Sequence, residues 1–108
     1  MPRYKALVYT NALPGKDADF NRWYDEVHVP EVVQMTKAVA AQRFALTDHQ
    51  QSEAPPQRYL TIYEFDCDPK EFSESLNVGA GKMDLGDSLD SKSASVVIYD
   101  TIGERFTE

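Results

Sequence analysis

The chain has one cysteine, two histidines and one tryptophan among 108 residues, and it is short of positive charge, with 11 lysines and arginines against 18 aspartates and glutamates. The single cysteine, Cys67, excludes an internal disulfide and any metal site built on several thiolates. It lies between Asp66 and Asp68, whose charge is expected to keep the thiol protonated and unreactive. No apolar run approaches the ~20 residues that cross a bilayer. Met1-Pro2-Arg3-Tyr4 leads into a β-like run rather than a signal-peptide core. A net charge of −7 favours solubility and repels nucleic acid and anionic membranes. These absences together predict a cytoplasmic protein with no nucleic-acid or membrane partner.

What is present suffices for one domain over residues 1–108. Hydrophobic residues make up 42% and aromatic residues 11%, which argues against disorder. A chain of this length buries roughly 65% of its unfolded surface, enough for one core but not for a deep two-lobed active site.

Strand and helix patterns alternate in a recognisable order. Tyr4 to Thr10 reads as a strand closing at Asn11-Ala12-Leu13-Pro14-Gly15. Asp17 is the expected N-cap of a helix whose apolar stripe is Phe20, Trp23, Tyr24 and Val27. Pro30 disfavours helical angles at Val29, so a break or bend is expected just after His28, with a second short helical piece beyond it. Ala38 to Thr47 and Arg58 to Phe65 are the next strands, Asp68-Pro69 opens another helix, and Ala94 to Ile102 is the last strand. Val78 to Ser93, with three glycines, is expected to be irregular. The order β-α-β-β-α-β is the split βαβ pattern of a ferredoxin-like α+β domain with a four-stranded antiparallel sheet.

Alternation within the strands carries a second message. Tyr59, Thr61, Tyr63 and Phe65 share one face of their strand, and Leu60 and Ile62 the other. Neither face reads as charged through its centre, so both need a cover, and the simplest second cover is an identical subunit. A homodimer is therefore expected. Parity alone does not decide which face meets the helices.

The chemistry gathers in Phe20 to Glu31. His28, with an unperturbed pKa near ~6.5, is the candidate acid or base. Tyr24 lies one turn earlier and Asp25 three residues earlier; either would orient the imidazole. Burial beside Trp23 and Val27 opposes the pull of Asp25, Glu26 and Glu31, which predicts a titration inside the ~5–8 window. A plain cap or packing role is the alternative for His28. Trp23 would wall an aromatic pocket or simply fill the core. Tyr63 and Tyr99 would donate to a carbonyl or enolate oxygen, or serve only as strand formers. Arg43 would clamp a substrate carboxylate or, by preference, pair across a dimer with a carboxylate such as Glu64. His49, in a polar turn, reads as a solvated loop residue.

Gly79-Ala80-Gly81-Lys82 lacks the spacing of a phosphate loop, and Asp84, Asp87 and Asp90 lack the ligand order of a calcium loop. Asp25, Glu26 and His28 have no second histidine at matching spacing, and no Ser-His-Asp or Cys-His arrangement is indicated. No cofactor and no metal are expected.

Several segments together resemble a known family. They are a strand ending in Tyr9-x-Asn11, the Pro14-Gly15 loop, Phe20-x-x-Trp23-Tyr24-x-x-x-His28-x-Pro30, Ala40-Ala41-x-Arg43-Phe44, and Arg58-Tyr59-Leu60 through Tyr63-Glu64. Over the first two thirds of the chain the pattern is similar to EthD-like members of the dimeric α/β-barrel superfamily; the last third matches only in strand placement. Thr36-Lys37 stands where a Pro-Gly turn is common. The resemblance implies a ferredoxin-like protomer whose sheet packs on that of a twofold mate. It also implies a pocket between sheet and helices, with a proton-handling histidine at the position of His28. Tyr9 and Asn11, which close the first strand, join Trp23, Tyr63, Tyr99 and Arg43 as substrate-binding candidates. Lactone isomerases, polyketide cyclases and cofactor-free oxygenases occur among such relatives.

The expected function is acid–base catalysis, without a metal, on a small apolar, oxygenated molecule: aromatic, lactone or polyketide-like. His28 would move the proton, Tyr24 or Asp25 would orient it, and the reaction would be of isomerase, cyclase or lyase type. The competing expectations are a non-catalytic protein that binds and stabilises a hydrophobic metabolite, and a cofactor-free monooxygenase.

Overall fold

A computed structural model describes residues 2–108. Its elements run β1 (Tyr4–Thr10), α1 (Asp17–Trp23), a π-helical turn (Tyr24–His28), α2 (Val29–Met35), β2 (Ala40–Ala45), β3 (Tyr59–Phe65), α3 (Pro69–Ala80) and β4 (Ser95–Asp100). The four strands form one antiparallel sheet in the order β2-β3-β1-β4, with the helices on one side. This is the ferredoxin-like α+β arrangement expected from the order of patterns.

Register settles the question that parity left open. Ala6 lies opposite Tyr63 and Ile98, and Thr10 opposite Tyr59, so one face carries Ala6, Val8, Thr10, Tyr59, Thr61 and Tyr63. Every second residue of β3 from Tyr59 to Phe65 is buried, which puts that face beneath the helices. The other face carries Leu7, Tyr9, Phe44, Leu60, Ile62 and Tyr99. It is not free of charge, because Lys5 pairs with Glu64 there at 2.7 Å.

The helix that begins at Asp17 does not break at Pro30. Val29 keeps helical angles (φ −59°, ψ −49°), and the accommodation comes earlier, in the π-helical turn, where the Val29 N–H donates to the Tyr24 carbonyl five residues back. A proline inside a helix lacks a donor and crowds the carbonyl four residues before it, here that of Glu26; a wider turn ahead of it relieves both. Asp17 is the first helical residue rather than the cap, and its carboxylate instead accepts the Tyr59 hydroxyl at 2.6 Å. At α3 the expected cap holds: Asp68 accepts the Lys70 N–H at 2.9 Å with Pro69 in the first turn.

The covered face packs two groups of residues. Ala6, Val32, Ala38, Tyr63, Phe65 and Phe72 form one, and Phe20, Tyr24 and Tyr59 the other. Residues 81–94, after α3, are irregular and cross the open end of the helical layer. A bridge between Ala12 and Leu89, with backbone bonds from Leu13 to Ser88 and from Asp90 to Asn11, fixes them there.

Candidate functional site

Between the sheet, α2, α3 and the 81–94 segment lies a cavity of about 150 Å³. Its wall is mostly hydrocarbon, from Val8, Val32, Leu76, Met83, Leu89 and Val96 among others. Four polar side chains interrupt it: Thr10, Tyr24, His28 and Tyr63. The Thr10 Oγ1, Tyr24 hydroxyl, His28 Nδ1 and Tyr63 hydroxyl are all buried without a hydrogen-bond partner in the protein, as is Thr61 Oγ1 nearby. The Thr61 and Tyr63 hydroxyls lie close enough to Tyr24 to affect its ionisation, yet no hydrogen bond joins the three. Buried polar atoms are rarely left unpaired, and this many around one cavity is a departure that needs a reason.

The π-helical turn builds this constellation. It brings Trp23 and His28, five residues apart, into a ring stack at 4.7 Å, with Tyr24 edge-on to the imidazole at 4.8 Å. A regular α-helix turns residues five apart well away from each other. Insertions of this kind occur often at functional sites.

Electrostatics fixes the protonation states. Burial, helped by the positive charge of Arg43, lowers the His28 pKa to about 4. This is below the expected window, because Asp25 does not reach His28: its carboxylate binds Arg43 Nη1 at 2.9 Å. The imidazole is therefore neutral near pH 7. Burial raises the Tyr24 and Tyr63 phenols above their ordinary range, so both hydroxyls keep their protons and can donate.

The remaining sequence candidates fall elsewhere. Trp23 backs His28 rather than lining the cavity. Its indole N–H donates to the Asp84 carbonyl at 2.9 Å, and Gly86, at φ +64°, passes so close that a Cβ there would meet the indole at 3.3 Å. Arg43 is held inside its own chain by Asp25 and by Asn21 Oδ1 at 2.8 Å, while Glu64 pairs with Lys5. Asn11 ties the loop before β3, accepting the Arg58 N–H at 2.8 Å and donating to the Pro56 carbonyl at 3.3 Å. Tyr9 and Tyr99 lie on the outer sheet face, Tyr99 with 57% of its surface exposed, and neither reaches the His28 cavity. His49 is exposed in its loop. Partial burial and Glu71, more than Asp68, raise the Cys67 thiol.

Sequence reading missed Thr10 and, from the 81–94 segment, Met83, Leu85 and Leu89. Thr10 shares the Tyr63 face, a placement that only the strand register supplies. Leu85 and Leu89, four apart in a polar stretch, were the available signal for the other wall. Among the described residues, no three His, Cys, Asp or Glu side chains converge as metal ligands, and no helix is long and apolar enough to cross a membrane.

No protein-family model matches the chain, and no curated protein matches it in sequence. Two solved structures match it in shape. HapK from Hahella chejuensis superposes with a TM-score of 0.62 at 12% identity, covering 97% of this chain and 98% of its own. An ethyl tert-butyl ether D (EthD) family protein from Bacillus halodurans C-125 gives 0.58 at 11% identity, covering 92% and 99%. Identities this low speak to fold, and the fold they identify is the one that the Trp23-Tyr24-x-x-x-His28-x-Pro30 segment resembles. In fold, the chain is similar to these two proteins, one of them a member of the EthD family.

Proposed function

We propose that the chain is a small enzyme that binds a neutral, apolar, oxygenated molecule in the His28 cavity and removes a proton from it with neutral imidazole. The observation that carries this reading is the set of unpartnered polar atoms of Thr10, Tyr24, His28 and Tyr63 in an otherwise apolar cavity. A protein that gained nothing from those atoms would do better to bury hydrocarbon there. A volume of about 150 Å³ suits one benzene-sized ring, so a larger substrate would leave its remainder outside the mouth.

The chemistry that fits is abstraction of a C–H proton beside a carbonyl. His28 Nδ1 takes the proton, and the electron pair moves to the carbonyl oxygen as an enolate. The Tyr24 and Tyr63 hydroxyls, still protonated, donate to that oxygen. A pKa of about 4 makes His28 a weak base in the free protein. The enolate formed beside it raises its proton affinity, because opposite charges in a poorly solvated site favour each other. Return of the proton at another carbon gives isomerisation; attack of the carbanion on a second carbonyl gives cyclisation.

The low basicity of His28 favours a second reading, a protein that holds a hydrophobic metabolite without turning it over. Reaction of the carbanion with dioxygen is a third. Deuterium exchange at the α-carbons of a panel of cyclic ketones and lactones in D₂O, followed by NMR, tests the first reading directly. Exchange with the wild type and a loss of at least about 100-fold in His28→Ala, with ligand affinity changed far less, is the expected result. Equal exchange in both proteins removes His28 from the mechanism. Binding without exchange in either supports the second reading, and substrate-dependent oxygen consumption the third.

The outer face of the sheet supports a homodimer. Leu7, Phe44, Leu60, Ile62, Val97 and Tyr99 form an apolar surface around the Lys5–Glu64 pair. Pairing two such faces would bury on the order of 2,000 Å² in total. Sedimentation at micromolar concentration should give twice the monomer mass, and a folded monomer there would sink the proposal. The single, partly buried thiol of Cys67 suits a cytoplasmic location.

A further inference from the structure

Arg43 packs against three of the rings behind the cavity, and its contacts are unusual for a binding residue. Its guanidinium carbon sits 4.4 Å from the centre of the Tyr24 ring, with Phe20 at 5.6 Å and Tyr59 at 5.8 Å. Nη1 donates to Asp25 Oδ1 and to the Asn21 carbonyl, and Nη2 to Asn21 Oδ1, so three of the four terminal N–H groups are engaged within the chain. Nε is buried without a partner. Only 15% of the side chain is exposed, against 64% for Asp25. Solvent therefore screens the carboxylate far more than the guanidinium, and the positive charge is only partly cancelled on the cavity side.

We propose that Arg43 is a positioning residue for the His28 site, clamped by Asp25 and Asn21 against the back of the Tyr24 ring so that its charge acts on the cavity through that ring. It touches no substrate. A fixed positive charge there favours negative charge on a bound oxygen and disfavours positive charge on imidazole, which keeps His28 in the form able to accept a proton. This rests on the acid–base reading given above for the same cavity, and it adds the source of the field.

Arg43 is the charged group that acts on the His28 titration, whereas Asp25 is tied to Arg43 and Glu26 is exposed on the same helical segment. Tyr24 on the same helix and Tyr63 from β3 are neutral phenols. Glu31 accepts from the Asp84 N–H and Asp84 from the Gly86 N–H, so both carboxylates are turned to backbone amides. The cavity contributions of β1, α3 and β4 are uncharged: Val8 and Thr10, Leu76 and Ala80, and Val96. The lowering of the His28 pKa has burial as its first cause and Arg43 as its second.

The test is NMR titration of the His28 ring in the full chain, which needs no substrate. Arg43→Met keeps a stem to cover the Tyr24 ring and removes the charge. It should raise the His28 midpoint by about half a unit to one unit, while Arg43→Lys, which keeps the charge, should shift it by less than half that. Where Arg43→Met does not fold, Asp25→Asn serves instead: loss of the carboxylate leaves Arg43 uncompensated, and the midpoint should fall by a few tenths of a unit. A folded Arg43→Met protein with an unmoved or lowered midpoint overturns the proposal, as does an upward shift in Asp25→Asn. These outcomes are independent of turnover. A chain that shows the titration shifts but no α-carbon exchange keeps the field and loses the acid–base reading.

Discussion

The two ends of the layer under the helices are built from the same kind of residue and behave differently. At the Phe65 end, ring meets ring. Phe65 and Phe72 stack at 4.0 Å and 8°, Tyr4 lies 5.3 Å from Phe65, and no buried polar atom of these residues lacks a partner. At the His28 end the rings carry heteroatoms. Tyr24, His28 and Tyr63 all bury a polar atom that nothing in the protein satisfies. Tyr63 belongs to the first cluster through its ring and to the second through its hydroxyl. The first end is what a stable core looks like. The second forgoes stability, since each buried, unsatisfied group costs about 1–3 kcal/mol. Such a loss is expected where the atoms serve a ligand instead.

That comparison is sharpened most by Phe72→Ala. Phe72 is fully buried, and its ring is the stacking partner of Phe65. Truncation should cost about 3–5 kcal/mol, read as a lower denaturation midpoint. The His28 titration should move little, because Phe72 itself does not line the cavity. A cost under about 1 kcal/mol would mean that the Phe65 end is as loosely packed as the cavity.

His28 gives the next effect. Folded, it takes up a proton only near pH 4; unfolded, it does so near 6.5. As pH falls through that interval the unfolded chain binds the proton first, so His28's contribution is complete above pH 6.5 and lost progressively toward pH 4. The loss is at most about 3 kcal/mol. The carboxylates titrate in the same range, so the informative quantity is the difference between wild type and His28→Asn in urea midpoints across pH 4 to 7. That difference should shrink as the pH is lowered. A flat difference would place His28 in solvent, like His49.

The ease of reading these two ends from sequence was unequal, for physical reasons. The Phe65 end follows from pattern: the alternation of β3, the Asp68-Pro69 start of α3, and Phe72 with Leu76 one turn apart. Local propensity and burial agree there. The segment that holds His28 was legible as a place, because Trp23, Tyr24 and His28 crowd one helix. Its geometry was not. Pro30 predicts a break or bend just after His28, whereas the chain absorbs it in a wider turn that stacks Trp23 on His28. Spacing along a helix is visible in sequence and offers Asp25, like Tyr24, as a partner of His28. The actual partner of Asp25, Arg43, comes from another element, which spacing cannot show. Tyr63 and Tyr99 were indistinguishable as strand tyrosines until register put them on opposite faces.

Tyr63→Phe has the smallest expected effect on stability and separates the two ends most cleanly. The ring is almost wholly buried in the first cluster, and phenylalanine keeps it. Only the hydroxyl is removed, and that oxygen has no hydrogen-bond partner in the protein. A group buried without compensation destabilises the fold, so its removal should leave stability unchanged or raise it by up to about 1 kcal/mol. Loss of an oxyanion donor should at the same time lower α-carbon exchange by about 10² to 10³-fold. Gain in stability with loss of activity is the signature of a residue kept for chemistry. Should Tyr63→Phe instead lose more than about 1 kcal/mol, the hydroxyl has a structural partner in solution. The His28 end would then be a core like the other, and the binding reading would lose one of its four polar contacts.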